Sequence, residues 1–183
     1  MTTTTTSSFV NPYKITKLYA TIPLYPYQMD NKLYINLKEN LNTLVSSKCY
    51  KDNGYVTKVT SIDEMQNGEI EAEDLNGVAK FKVSFTCTLC RPIRNTIILC
   101  KIDRVNKLLI TAVNGPIITI ITSDRVNPDR FVKDNNDMLR YKGPDNKLIL
   151  LKSDDFIKVT LQSIVFHDKD KRIKSIGFLE DIV

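Results

Sequence analysis

The chain has 183 residues, 42% of them apolar and 26% charged, with a net charge of +5. Those values suit one packed domain or two small ones and exclude a disordered or collagen-like chain. There is no run of 18 apolar residues and no basic-then-apolar N-terminal signal, so a soluble intracellular protein with no membrane partner is expected.

Met1 to Ser8 is polar and low in complexity, and residues 1–14 are read as a leader outside the fold. Ile15 to Ile22 reads as a first strand stopped by Pro23 and Pro26. Asp30 or Asn31 offers an N-cap for a helix from Lys32 to Ser46, with Leu33, Leu37, Leu41, Leu44 and Val45 on one stripe. A turn at Asp52-Asn53-Gly54 leads into a strand over Tyr55 to Thr60. Residues 63–68 read as a loop, Glu69 to Asp74 as extended chain, and Asn76-Gly77 as a two-residue hairpin turn. Phe81, Val83, Phe85 and Cys87 then alternate with Lys82, Ser84 and Thr86, a strand with one buried and one wet face that ends at Arg91-Pro92.

Beyond this point almost every element reads as a strand: Thr96 to Val105, Leu108 to Val113, Ile117 to Thr122, a short one at Leu148 to Leu151, and a last hairpin from Ile157 to Phe178. Asn127 to Pro144 is a long charged connection. The pattern predicts an α+β chain, with a sheet and one helix in residues 15–88 and an all-β OB-type barrel in 89–183. A generic five-stranded sandwich fits the same periodicity.

Cys87 and Cys90 form a C-x-x-C, but their odd spacing on a strand points the sulfurs to opposite faces. Cys49 and Cys100 make no second pair and His167 is the single histidine, so no metal is expected. The chain has no phosphate-binding glycine motif, no nucleophile elbow and no placed acid–base pair, so it is not expected to be an enzyme by itself or to need a cofactor.

Charge is more informative. Residues 1–85 hold nine Lys/Arg and nine Asp/Glu, whereas 86–183 hold 17 and 12, so the whole excess lies in the second half. Arg91, Arg94, Lys101, Arg104 and Lys107 give one basic run. Arg125, Arg130, Lys133, Arg140 and Lys142 crowd the long connection, where Phe131 and Tyr141 are the aromatic candidates for base stacking. These residues read as a track for single-stranded RNA, or as an evenly solvated surface. The central strands, Leu108 to Thr122, contain no aromatic residue.

Several short motifs in order carry a resemblance. They are Gly54-Tyr55-Val56, Val59-Thr60, Ile62-Asp63, Gly68 with Ile70, Val83 and Phe85 running into Arg91-Pro92, Gly115-Pro116, and Ile176-Gly177-Phe178-Leu179-Glu180-Asp181. With Leu24-Tyr25-Pro26 and the following helix, they resemble the stalk subunit of multisubunit DNA-dependent RNA polymerases, which is the seventh subunit of RNA polymerase II and its archaeal counterpart. The resemblance covers 15–183 and implies a truncated RNP-like tip domain followed by an S1-like OB fold.

It further implies a non-catalytic transcription subunit whose tip docks on the polymerase core near the clamp of the largest subunit and a sixth-subunit-like protein. Ile62, Asp63, Glu64, Met65, Gln66, Asn67 and Gly68 would form the docking segment. The barrel would meet nascent RNA at the exit channel, and a fourth-subunit-like protein would be a further partner. Cys90 stands where the family often has an aromatic, and Asn95 near the place of a glycine. These departures and the Thr-rich leader suggest a divergent lineage such as a large DNA virus, which implies host cytoplasm and virion rather than nucleus. The alternatives from other classes are a free-standing single-stranded RNA-binding OB protein and an adaptor for acidic proteins.

Overall fold

A computed structural model describes residues 9–134, 138–143 and 148–183. The Thr-rich leader to Ser8, and Pro144 at the end of the long connection, lie outside the described residues. The chain divides into two compact units, one of Tyr13–Arg91 with His167–Lys171, the other of Pro92–Phe166 and Arg172–Val183 with the segment before Tyr13.

The first unit contains β1 (Tyr13–Leu24), a 3-10 turn (Pro26–Gln28), α1 (Leu33–Val45), β2 (Lys48–Tyr50), β3 (Gly54–Met65), β4 (Glu69–Ile70) and β5 (Ala79–Cys90). The sheet runs β1-β5-β3-β2, with β4 also on β5, and every pairing is antiparallel. Strand β1 continues through Pro23, where a stop was expected, because it borders only β5 and an edge strand tolerates a missing donor. The helix begins one residue later than expected: Lys32 is the N-cap, and Asp30 Oδ1 accepts the Lys32 N–H at 2.8 Å. Leu37, Leu41 and Val45 are buried and Leu33 packs beside them, but Leu44 is exposed and leaves the stripe.

Two further expectations are corrected. Asp63, Glu64 and Met65 are not loop residues but the end of β3, which keeps pairing with β5 through three register shifts. Asn76-Gly77 is not a two-residue hairpin; it lies in the connection from β4 to β5 that spans 71–78, where Gly77 adopts φ +63°. The core joins Ile22, Leu24, Leu37, Leu41, Val56, Phe85 and Leu89. Cys87 belongs to this core, while Cys90 lies on the other face, where register places it between Tyr13 and Tyr55. Both thiols are therefore buried from opposite sides. Ser84, expected on the wet face, is only 3% exposed.

The second unit closes a barrel from β6 (Ile97–Val105), β7 (Leu109–Asn114), β8 (Ile117–Thr122), β12 (Phe156–Val165) and β13 (Ile173–Ile182), in the order β12-β13-β8-β7-β6. Closure with β13 parallel to β8 selects the OB-type reading over the open sandwich. Gly115, at φ +55°, makes the tight β7–β8 turn. The long connection is not structureless. It carries β9 (Phe131–Lys133) and β10 (Leu139–Lys142), which pair with each other, and β10 also pairs with β11 (Leu148–Leu150), in a small separate sheet ordered β11-β10-β9.

Inside the barrel lie Ile98, Cys100, Ile102, Ile110, Ala112, Ile121, Ile157 and Leu161. Two buried hydroxyls, Thr119 and Ser175, satisfy each other at 2.7 Å, as a dry interior requires. Gly177 faces this interior where no side chain fits: a Cβ there would strike Val159 Cγ1 and come within 2.6 Å of Thr119 Cγ2.

Candidate functional site

The docking candidates occupy the end of β3 and the following turn. Ile62 is buried and faces the core, so it supports the segment rather than presenting a contact. Asp63 accepts hydrogen bonds from the hydroxyls of Thr86 (2.7 Å) and Ser61 (2.9 Å), which hold its carboxyl below the usual range. Glu64 pairs with Lys17 at 3.1 Å, and the Gln66 N–H donates to Lys82 O at 3.0 Å. Met65 is exposed, as are Gln66 and Asn67. Gly68 lies against the ring of Phe81, with room for no Cβ: one would sit 2.5 Å from Phe81 Cζ. The segment is thus an exposed tip held rigidly from behind. Next to it, Tyr19, Thr21, Lys51, Gln66 and Lys82 line a cleft of about 310 Å³.

The basic candidates are distributed between the units. Arg91 is in the first unit and Arg94 in the second, both exposed. On β6, Lys101 pairs with Asp154 at 2.7 Å, and Arg104 lies 3.8 Å from Asp103. Arg125 donates to Gln162 Oε1 at 2.6 Å.

The β9–β10 pairing gathers the rest. It sets Tyr141 opposite Phe131, and Lys142 N–H donates to Arg130 O at 2.8 Å. Arg140 is committed to Asp134 at 2.8 Å, which leaves it little for a ligand. Phe131 is 3% exposed and packs on Tyr141 at 5.5 Å between ring centroids, so it does not offer its face to a base, because the small sheet folds it inward. Tyr141 is half-buried; its phenol is pushed up by burial and a hydrogen bond to Asp181, while nearby Arg130 pulls it down.

One grouping was not visible in the sequence. Lys107 from the β6–β7 turn and Lys133 from β9 line one cleft with Asn106, Leu108, Leu109 and Ser123, about 740 Å³ in volume. Two ammonium groups beside an exposed Leu108 can hold a phosphate and the flank of a sugar or base. The sequence reads Leu108 as the first residue of a strand, whereas β7 begins at Leu109 and leaves Leu108 exposed in the turn beside the two lysines.

The cysteine thiols are pushed up by burial, Cys49 and Cys87 to about 11, Cys90 and Cys100 to about 12. They are packing groups and not nucleophiles at neutral pH. Among the described residues, no group of three or more His, Cys, Asp or Glu could hold a metal, and no helix is long and apolar enough to cross a membrane.

Taken together, fold and surfaces define a class: a helix-bearing sheet unit with an exposed tip, joined in one chain to an OB-type barrel with a lysine-lined cleft. No family model matches the chain. Individual relatives do. The chain is 32% identical over 170 residues to a protein of Acanthamoeba polyphaga mimivirus provisionally named as a DNA-directed RNA polymerase subunit, covering 93% of this chain and 83% of that protein. It is 28% identical over 158 residues to DNA-directed RNA polymerase II subunit RPB7 of Glycine max, covering 86% of each. With the corresponding subunit 7 of Arabidopsis thaliana, identity is 31% over 121 residues, 64% of this chain and 67% of that one. The chain belongs to the stalk-subunit family of DNA-directed RNA polymerase, that of the seventh subunit of RNA polymerase II.

Proposed function

We propose that the chain is a non-catalytic subunit of a DNA-directed RNA polymerase, anchored by its first unit and serving nascent RNA with its second. The observation that carries this is the match over 93% of the chain to a relative named as a polymerase subunit. The exposed end from Asp63 to Gly68 is the docking tip, and its contacts are the clamp region of the largest subunit and a sixth-subunit-like protein. Its rigidity supports that role: the Asp63 hydrogen bonds and the Gly68–Phe81 contact fix the tip before binding, which lowers the ordering cost. On the barrel, Lys107 and Lys133 with Arg94, Arg130 and Lys142 offer positive charge to a passing single strand near the exit channel. A fourth-subunit-like protein completes the stalk, and the assembly works in the nucleus or, for a viral polymerase, in host cytoplasm and virion.

Co-purification tests the anchor. Polymerase isolated through another subunit is expected to retain the wild-type chain and to lose the Glu64→Lys variant or one lacking Met65–Asn67. Full retention of both variants counts against docking through the tip.

A further inference from the structure

Four of the six glycines follow an asparagine: Asn53-Gly54, Asn67-Gly68, Asn76-Gly77 and Asn114-Gly115. In such a pair no side chain on the glycine shields its backbone nitrogen, which is free to attack the asparagine side-chain carbonyl. The fold decides whether it does, and it restrains three of the pairs. The Asn114 side-chain amide donates to Leu99 O at 2.7 Å. Gly54 is buried and paired with Tyr50 in the β2–β3 ladder. Gly77 N–H donates to Asp74 O at 3.1 Å, which ties up the attacking nitrogen.

Asn67-Gly68 has none of these restraints. It lies between β3 and β4, and both residues are exposed. Among the described residues, neither the Asn67 side chain nor the Gly68 N–H has a hydrogen-bond partner. Its surroundings, in contrast, are fixed: Gln66 N–H donates to Lys82 O at 3.0 Å, and Gly68 lies on the Phe81 ring with no spare room.

We propose that Asn67 is a self-modifying site. Gly68 N loses its proton to solvent base, bonds to Asn67 Cγ and expels the side-chain nitrogen as ammonia. The cyclic imide takes up water at one of its two carbonyls, and ring opening leaves either aspartate or isoaspartate. Both products replace a neutral amide by a carboxylate, beside Asp63, Glu64 and Glu69. Isoaspartate also routes the main chain through the side-chain carbon, which adds a methylene before Gly68. That extra length pushes Gly68 off Phe81 and loosens the tip. The effect on docking rests on the proposed role of the tip, whereas the modification does not.

The test ages the full-length chain at neutral and mildly alkaline pH. Peptide mapping by mass spectrometry reads the exchange of NH2 for OH at each asparagine. Methyl transfer by an isoaspartyl carboxyl methyltransferase reads isoaspartate. Conversion at Asn67 is expected to run about tenfold or more ahead of Asn53, Asn76 and Asn114, to quicken as pH rises, and to lose this lead in denaturant. Conversion no faster at Asn67 than at the other three overturns the inference, as does the same lead in the unfolded chain. The aged mixture is then offered to polymerase lacking this subunit. The bound fraction is expected to be depleted several-fold in isoaspartate at residue 67 relative to the unbound. Equal content in the two fractions overturns the loosening of the tip. If even the fresh chain fails to bind, the docking reading falls, while the mass readings still decide the modification.

Discussion

The two units differ in their balance of charge more than in how they pair it. On the first unit Lys17 pairs with Glu64, Lys80 with Glu71 and Lys82 with Glu69, while Lys14, Lys32 and Lys58 stand exposed with no carboxylate in ion-pair range among the described residues. On the second, Lys101, Arg104 and Arg140 are paired with Asp154, Asp103 and Asp134, and Arg94, Lys107 and Lys174 stand exposed with no carboxylate in ion-pair range among the described residues. Basic residues outnumber acidic ones there, however. Exposed pairs contribute only about 0–1 kcal/mol each, so the first pattern is not mainly about stability. It leaves a nearly neutral surface suited to a fixed protein contact, whereas unmatched cations create a field that a mobile polyanion follows and salt weakens. On the proposed function, the balanced unit would hold the fixed protein contact and the cation-rich unit the transient one.

The cores differ too, and substitution there gives the largest effects. Leu37 is wholly buried between α1 and the sheet, and Leu37→Ala is expected to cost about 2–5 kcal/mol, measured by denaturant unfolding. In the barrel the sensitive position is one that lacks a side chain. Gly177→Ala forces a methyl against Val159 and Thr119 and is expected to cost about 1–3 kcal/mol. Tolerance of alanine at Gly177 without loss of stability would break the picture of a filled barrel.

A smaller effect sharpens the charge comparison. Lys107→Ala with Lys133→Ala is expected to reduce the salt dependence of single-strand binding by about 0.7 in slope per lost phosphate contact, measured by titration at several salt concentrations. Lys17→Ala with Lys80→Ala, on the paired surface, should leave that slope unchanged.

The buried thiols set an effect confined to alkaline pH. Their folded values lie at about 11 to 12 against an ordinary 9.0, so the folded state holds protons that the unfolded chain releases. This stability is complete below about pH 9 and falls as pH rises toward 12. Thermal melts across that window should show the decline. Thiol-reactive reagents at neutral pH should modify the four cysteines only after unfolding.

Much of this was legible in the chain, for physical reasons. The strands β6, β7 and β8 are long aliphatic runs bounded by Asn, Gly or Pro, and they form within a residue of where periodicity puts them. The barrel followed from their number and from the long connection after the third. What stayed hidden was short or broken. β2 and β9 have three residues each and β10 four, too few for a period to show, whereas the short strand expected at Leu148 to Leu151 forms as β11. The three register shifts in β3 reset its alternation, which is why Asp63 to Met65 looked like a loop. Phe131, among Arg130 and Lys133, looked like a stacking ring because its burial depends on a β9–β10 pairing that no local pattern announces. The segment His167–Lys171 reads as a free hairpin turn, yet it lines the open edge of β2. There Cys49 N–H donates to Asp170 O at 2.7 Å and Lys169 N–H donates to Cys49 O at 2.8 Å.

The division of labour is tested most directly by RNA–protein crosslinking in a transcribing polymerase that contains this chain. The account places crosslinks to the nascent transcript on Pro92–Phe166, centred on Lys107 and Lys133, with none on Tyr13–Arg91. Crosslinks concentrated on the first unit, or none on the second while the chain stays bound to the polymerase, would contradict it.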